Sequence, residues 1–370
     1  MKLGIIGLPN VGKSTLFNAL TNAKAETSNY ISRTDSPNVG MVNIPDERLD
    51  FLTKLNKSEK TVHAFIEFVD IVGLVQGASK GEGGGNKFLM HIREVDALIH
   101  VVRCFDDDNI IHVNDTINPV RDADIVNLEL IFADMELVER RIERAKKALK
   151  GDKSLEKEIK LFEELLEVLN DGKPARSMNY TPEESAIIDT VPLFSRKKII
   201  YAANVSESDI AVMETEASSG KGSEYYNSLK DLALSENAGI IPVCAKIEAE
   251  INELPLEERG EFLEELGIKK SGLVKLIQES YSLLGLISFL TAGPKESRAW
   301  TIRKGAKAPE AAGKIHSDIE RGFIRAETVA YKDLETYGSM AAAKDKGLVR
   351  SEGKEYTVSD GDVILFRSNV

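Results

Sequence analysis

Residues 7–14 read Gly7-Leu8-Pro9-Asn10-Val11-Gly12-Lys13-Ser14, a full match to G-x-x-x-x-G-K-[ST]. The chemistry open to that arrangement is phosphate binding. Glycines let the backbone curl until several N–H groups face one point, an anion nest at a helix N-terminus. Lys13 then brings a full positive charge to β- and γ-phosphates, and the Ser14 hydroxyl can ligate Mg2+. Asn10, Val11, Gly12 and Thr15 share the same turn and are the other candidate nucleotide contacts. A second group lies downstream, where Asp70-Ile71-Val72-Gly73 follows the aliphatic run Phe65–Val69. In P-loop enzymes an acid at such a strand end holds the Mg2+, and the glycine N–H meets the γ-phosphate. Thr34, in the aperiodic polar segment Asn29–Asn38, is the candidate for a further Mg2+ ligand. Residues 76–86 carry five glycines, as expected of a loop that stays mobile until a γ-phosphate orders it.

A base site is expected farther along. Guanine-specific proteins of the P-loop superfamily place N-K-x-D after a late strand, with the aspartate accepting from two guanine donors. Here the strand Lys198–Ala203 runs into Asn204-Val205-Ser206-Glu207, so valine replaces the lysine and glutamate the aspartate. That compromises the guanine fork. Asn204 both donates and accepts, which suits the opposite pattern on adenine. Cys244-Ala245-Lys246 follows another strand and resembles the S-A-K loop that packs behind the base. Asn204, Val205, Glu207, Cys244, Ala245 and Lys246 are therefore the base-side candidates, with GTP left open because Asn204 alone does not exclude it.

With these residues in place, the chain resembles the YchF subfamily of the Obg-like P-loop proteins over nearly its whole length. The likeness rests on the phosphate loop, on Asp70–Gly73, on Gly77-Ala78-Ser79-Lys80-Gly81-Glu82-Gly83 and on the variant N-x-x-E. It extends to the C-terminal residues, which resemble a TGS domain, a ubiquitin-like β-grasp, from Ala299-Trp300-Thr301-Ile302 to Asp360-Gly361-Asp362-Val363. The resemblance implies hydrolysis of ATP in preference to GTP with Mg2+, binding to the ribosome (large subunit or 70S), and Thr34 as the switch threonine. The sequence departs from the family at Ile31-Ser32, where Pro-Phe is usual, and at Gly84, where leucine is common.

Many nucleotide hydrolases position the attacking water with a glutamine just after D-x-x-G. Leu74 stands there and cannot hydrogen-bond, so a low basal rate is expected. The resemblance suggests His112 as the substitute, a neutral imidazole that would orient the water. The other reading makes His112 a surface-loop histidine paired with Asp106–Asp108. His63, His91, His100 and His316 read as structural.

The elements that must hold these groups are legible as three textures. From Met1 to about Asn127, short aliphatic strands (Leu3–Ile6, His63–Val69, Ala97–Cys104) alternate with loops and helical stretches, the signature of a mostly parallel α/β sheet. From Leu128 the period changes: Leu128, Ile131, Met135, Val138, Ile142, Ala145 and Leu149 predict one helix, and Leu155, Ile159, Phe162, Leu166 and Leu169 a second. Gly151 supplies the turn and Ser154 the cap. This is a helical hairpin of coiled-coil type, or two ordinary amphipathic helices on a core. Strands return at Lys198–Asn204 and Gly239–Ala245, which makes the hairpin an insertion. The expected class is thus α/β: a P-loop G domain over 1–127 and 196–280, an inserted hairpin over 128–195, and a β-grasp domain over 281–370.

Composition sets the remaining bounds. A chain that is 42% hydrophobic and 29% charged is ordinary for a folded protein. No apolar run approaches the roughly 20 residues needed to span a bilayer, and Leu3–Gly7 is too short for a secretory core. Cys104 and Cys244 lack metal spacing and are too few for a disulfide framework, consistent with a reducing, cytoplasmic setting. A net charge of −12 argues against nonspecific attraction to nucleic acid over the whole surface. Residues 281–370 nevertheless hold 14 Lys/Arg against 12 Asp/Glu. Within them Arg298, Trp300, Arg303, Lys304, Lys307 and Lys314 form a candidate RNA-facing patch, the tryptophan able to stack on a base. A solvated face of a small domain explains the same run, and the charged hairpin is a second candidate docking arm. The chain is expected to act mostly as a monomer.

Overall fold

Aliphatic runs at Lys2–Ile6 (β1), Phe65–Asp70 (β4), Ala97–Cys104 (β5), Ile199–Val205 (β6) and Gly239–Val243 (β7) join Asn38–Asn43 (β2) in one six-stranded sheet, ordered β2-β4-β1-β5-β6-β7. In this computed structural model the described residues are 1–22, 37–71, 85–149, 155–215 and 223–369. Thr34, Gly73, Leu74, the glycines from Gly77 to Gly84, and the Gly151 and Ser154 turn expectations all lie outside them. β1 pairs in parallel with β4 and β5, β5 with β6, and β6 with β7. Every residue of β5 and β6 is buried, as continuous apolar strands of a parallel sheet covered on both faces should be. Parallel pairing also carries the ends of β1, β4, β5, β6 and β7 to one edge, with Ile5 opposite Asp70 and Asn204 opposite Val243. In open α/β sheets that carboxyl edge is where ligands sit.

The helical stretch begins earlier than its period suggests. A single helix spans Pro119–Ala148, starting nine residues before Leu128, because Asn118 accepts from the Arg121 N–H as N-cap and Pro119 occupies the first turn. Its Ile131, Val138 and Ile142 pack with Leu161, Phe162, Leu165 and Leu169 of the Leu155–Asn170 helix. Ion pairs Arg141–Glu158 (2.7 Å) and Lys146–Glu163 (2.6 Å) bridge the two helices outside that seam. Two buried polar clusters anchor the hairpin's base. Asp134 accepts from the N–H groups of Phe194 and Ser195 and from the Ser195 hydroxyl, all within 2.7 Å. Arg176 donates to Glu236 (2.6 Å) and Asn127 (2.7 Å), and the Tyr201 hydroxyl completes the cluster.

The chain divides into two compact units, Met1–Met41 with Glu67–Leu276, and Val42–Ile66 with Ile277–Val370. The second is therefore not purely C-terminal, as expected, but takes residues 42–66 from the presumptive nucleotide domain. Its sheet is ordered β11-β10-β12-β8-β9-β3, from Arg350–Glu352 (β11), Phe323–Ala330 (β10), Asp362–Ser368 (β12), Leu286–Ala292 (β8), Glu296–Arg303 (β9) and Lys60–Val62 (β3). β3 lies parallel to β9, Lys60 opposite Glu296. Arg48 secures the same segment: it holds Asp46 through Nε (2.8 Å) and donates from Nη1 to Asp360 (2.7 Å) in the Asp-Gly-Asp turn. Gly361 in that turn takes a φ of +82°, a left-handed backbone that favours glycine.

Candidate functional site

The phosphate loop is shaped by three positions with positive φ: Gly7 (147°), Asn10 (63°) and Gly12 (98°). A Cβ on Gly7 would sit 2.4 Å from the Val101 carbonyl of β5, and one on Gly12 would sit 2.5 Å from the Asn204 amide. The two glycines thus serve close packing as well as curvature. Lys13 opens the Lys13–Asn22 helix, and Ser14 and Thr15 stand exposed in its first turn. The Lys13 ammonium donates to the Leu8 carbonyl at 2.7 Å, folding back across its own loop.

Asp70 closes β4 and is 4% exposed. Burial lifts its pKa above the usual carboxylate value, and the neighbouring Lys13 charge opposes that shift. Burial likewise lowers the Lys13 pKa, opposed by Asp70. One carboxylate oxygen, Asp70 Oδ1, is buried with no hydrogen-bond partner among the described residues. A buried, unpartnered carboxylate oxygen is costly unless a cation or water meets it. Asp70 and the Ser14 hydroxyl are hard oxygen donors of the kind Mg2+ takes, so the residues present fit that ion.

On the base side the geometry reassigns Asn204. Its Nδ2 donates to the Val11 carbonyl and its Oδ1 accepts from the Ala245 N–H, both at 3.0 Å. The side chain is a strut between the phosphate loop and the 244–246 loop, with both ends occupied. Val205 is buried in β6, and Cys244 and Ala245 are buried at the start of the Ala245–Glu253 helix. Their side chains are therefore core groups. Glu207 and Lys246 are exposed and form an ion pair at 2.6 Å. Among the base-side candidates these two alone present side chains to solvent, and the glutamate's charge is already matched.

Arg103 was not among the candidates, and it organises the loop next door. Its guanidinium, 1% exposed, donates to the carbonyls of Phe105 (3.0 Å), Asp107 (3.0 Å) and Ile110 (2.9 Å). Asn10 of the phosphate loop donates to the Ile111 carbonyl at 3.1 Å, joining the two loops. His112 is not a surface histidine and does not pair with Asp106–Asp108. It is 7% exposed, while Ile111 beside it is 79% exposed. Its Nε2 lies 2.8 Å from Asp122 Oδ2, and its Nδ1 accepts from the Asn114 N–H at 3.1 Å. Nothing in the sequence spacing pointed to Asp122, although an acid in the first turn of a capped helix is a recognisable anchor for a basic group.

The candidate RNA patch in the second unit also changes. Trp300 stacks on Phe289 (6.3 Å, 10°) and carries the Arg298 guanidinium 4.2 Å from its ring centroid. Its indole N–H donates to Thr291. The ring is engaged by Phe289 and Arg298, so the tryptophan is a packing residue rather than an open stacking platform. Lys307 pairs with Glu355, whereas Arg303, Lys304 and Lys314 are exposed. Among the described residues no helix is long and apolar enough to cross a membrane.

A curled glycine loop opening a helix, with its lysine beside a buried acid at the next strand's end, defines a P-loop nucleotide hydrolase. Comparison with known proteins agrees. A family model described as 50S ribosome-binding GTPase matches residues 2–134, and a YchF-GTPase C-terminal model, itself described as of unknown function, matches 286–369. The ribosome-binding ATPase YchF of Bacillus subtilis (strain 168) is 56% identical over 368 residues, covering 99% of each chain. Its Escherichia coli O157:H7 counterpart is 48% identical over 370 residues, 100% of this chain and 99% of that one. A solved structure of the Schizosaccharomyces pombe YchF GTPase has a TM-score of 0.85 at 37% identity, covering 99% of this chain and 97% of that one. The chain belongs to the YchF family.

Proposed function

We propose that this protein hydrolyses ATP, in preference to GTP, as a slow Mg2+-dependent conformational switch that binds the ribosome. The observation that carries the hydrolytic part is the buried Asp70 oxygen beside Lys13, which has no partner among the described residues. Ser14 and Asp70 would hold Mg2+, with Thr34 as a further ligand and the Gly73 N–H on the γ-phosphate. The ion neutralises charge on the β- and γ-oxygens when bound. Lys13 supplies fixed positive charge, and Asn10, Val11, Gly12 and Thr15 contribute backbone donors. Relatives named as ribosome-binding ATPases support the nucleotide and the partner.

Selection of the base rests on Asn204, Val205, Glu207, Cys244, Ala245 and Lys246, but chiefly as a shaped surface. Asn204 is spent as a strut, and Glu207 is paired with Lys246 and so is a poor acceptor for guanine's two donors. The name GTPase on the fission-yeast structure keeps GTP as the weaker substrate. His112 is the candidate catalytic group that orients water. Its burial, with Nδ1 accepting from the Asn114 N–H and Nε2 2.8 Å from Asp122, also favours a second reading, in which nucleotide sets conformation and hydrolysis is incidental. The hairpin and the TGS-like residues 281–370, together with 42–66, are the proposed ribosome-facing parts, with direct RNA contact through Arg303, Lys304 and Lys314. The protein is proposed to be cytoplasmic and monomeric.

Calorimetric titration of nucleotide-free protein with ATP and GTP analogues plus Mg2+ tests the reading. ATP analogue binding several-fold tighter is the expected result. Equal or GTP-favoured binding overturns the adenine assignment, and no binding of either overturns the site. Lys13→Ala should abolish binding, whereas His112→Ala should keep affinity and lose hydrolysis; unchanged hydrolysis in the latter favours the second reading.

A further inference from the structure

Met90 and Phe132 are large apolar side chains left 54% and 47% exposed. Met90 belongs to the Gly85–Glu94 helix, whose Phe88 and Ile92 are buried in the core, and Phe132 to the Pro119–Ala148 helix. These two helices line a groove of about 340 Å3. Leu89 and Met90 come from the first, Ala133 and Leu137 from the second, and the buried Phe194 completes the apolar lining. Its edges are charged. The Arg93 guanidinium lies 5.6 Å from the Phe194 ring centroid, and Glu136 and Arg140 line the same groove. Ala133, Leu137, Arg140, Arg144 and Lys147 recur at spacings of three and four, so Arg144 and Lys147, both exposed, continue that face along the hairpin arm. Other cations of this helix are matched from across the hairpin, Arg141 by Glu158 and Lys146 by Glu163. Among the described residues Arg93, Arg144 and Lys147 form no ion pair, and Arg140 has only the exposed Glu136, at 3.7 Å.

We infer that this groove is the docking site for an acidic amphipathic helix of a partner protein. Apolar side chains of that helix fill the space over Leu89, Met90 and Leu137, and its carboxylates meet Arg93, Arg140, Arg144 and Lys147. A methionine suits such a surface, because its flexible thioether adapts to whatever it meets. The stretch from Ala133 to Lys147 rises about 21 Å, the length of a helix of about four turns. A nucleic acid strand fits less well. Its phosphates gain nothing from Met90, Phe132 and Leu137, and Glu136 repels them. The Gly85–Glu94 helix follows the Asp70–Gly73 and glycine-rich sequences directly along the chain. On the reading of those sequences as the nucleotide switch, affinity for the partner helix changes with the γ-phosphate.

The test titrates the full chain, with either ADP or a non-hydrolysable ATP analogue bound, against a labelled helix-stapled peptide of about 14 residues. The peptide carries leucines on one face and glutamates beside them, and fluorescence anisotropy reads its binding. We expect saturable binding, weakened at least about tenfold by Met90→Glu and about fivefold by Arg140→Glu/Arg144→Glu. The double variant should instead bind the same peptide with lysines in place of glutamates, which shows that it is folded and that charge sets the preference. Affinity should differ at least about fivefold between the two nucleotides. No saturable binding, or binding that Met90→Glu leaves intact, overturns the docking site. Tighter binding of oligouridylate than of the peptide, lost in the arginine variant but kept in Met90→Glu, assigns the stripe to nucleic acid and also overturns it. Self-association of the chain in sedimentation, abolished by Met90→Glu, makes a second copy the occupant and does the same. Equal affinity with both nucleotides seated, as calorimetry verifies, overturns the coupling to the γ-phosphate. If calorimetry finds neither nucleotide bound, the hydrolase reading has failed, and the peptide titration still decides the groove.

Discussion

The phosphate loop and residues 105–113 leave adjacent strands, β1 and β5, and each carries one candidate catalytic side chain, Lys13 and His112. In the first, nearly every residue type is dictated locally. A Cβ at either of its two close-packed glycines would come within 2.5 Å of neighbouring backbone or amide, and the helix that follows aims its own N–H groups at the anion site. In the second, the backbone is shaped by a distant requirement, since a buried Arg103 must place its donors on three carbonyls. His112 then turns inward to an acid ten residues away, on another element. A site whose chemistry comes from backbone geometry is written in a short pattern. One whose chemistry comes from a side chain's partners is not.

The largest expected effect breaks the first region outright. Lys13→Ala removes the only charge that the loop brings to the phosphates and should weaken ATP-analogue binding at least about 100-fold by calorimetry. Asn204→Ala tests whether the loop is truly local. Losing the strut leaves the Val11 carbonyl and Ala245 N–H unpaired and buried, which should cost about 2–3 kcal/mol of stability and weaken nucleotide binding about tenfold. Tight binding in that variant would show that the loop holds its shape without Asn204.

A third prediction concerns what lies beneath both loops. His100, on β5, is completely buried, and burial first, then the charges of Arg176 and Lys13, push its pKa down to about 3. The unfolded chain therefore takes up a proton below its ordinary value near 6.5 while the folded chain does not. Stability should fall as pH drops from about 6.5 toward 3, by about 2 kcal/mol at pH 5. Denaturant titrations of His100→Phe should lack that share of the slope; an identical acid dependence would rule out His100 as its source. The smallest effect sits on the link between the regions. Asn10→Gly keeps the positive φ and removes the bond to the Ile111 carbonyl. Being exposed, that bond should contribute less than about 0.5 kcal/mol, with analogue affinity unchanged within twofold. Hydrogen exchange at residues 110–113 should nonetheless quicken, and a large loss of affinity would instead assign the Asn10 side chain to the nucleotide.

Sequence pattern alone determined the α/β class, the phosphate loop, Asp70 at a strand end and the existence of a helical hairpin. Each of these is a local periodicity or a short motif, whose physics involves residues a few positions apart. It misplaced the start of the long helix, where the Asn118–Pro119 cap outweighs the weaker apolar period before Leu128. Tertiary structure alone decided that residues 42–66 complete the second sheet, because strand pairing such as Lys60 with Glu296 joins positions far apart in the chain. It also decided that Trp300 packs on Phe289 and Arg298, that Asn204 is a strut, and that His112 is buried beside Asp122. A side chain's function depends on which of its polar atoms remain unsatisfied after folding, and that is settled by long-range neighbours that no local spacing encodes.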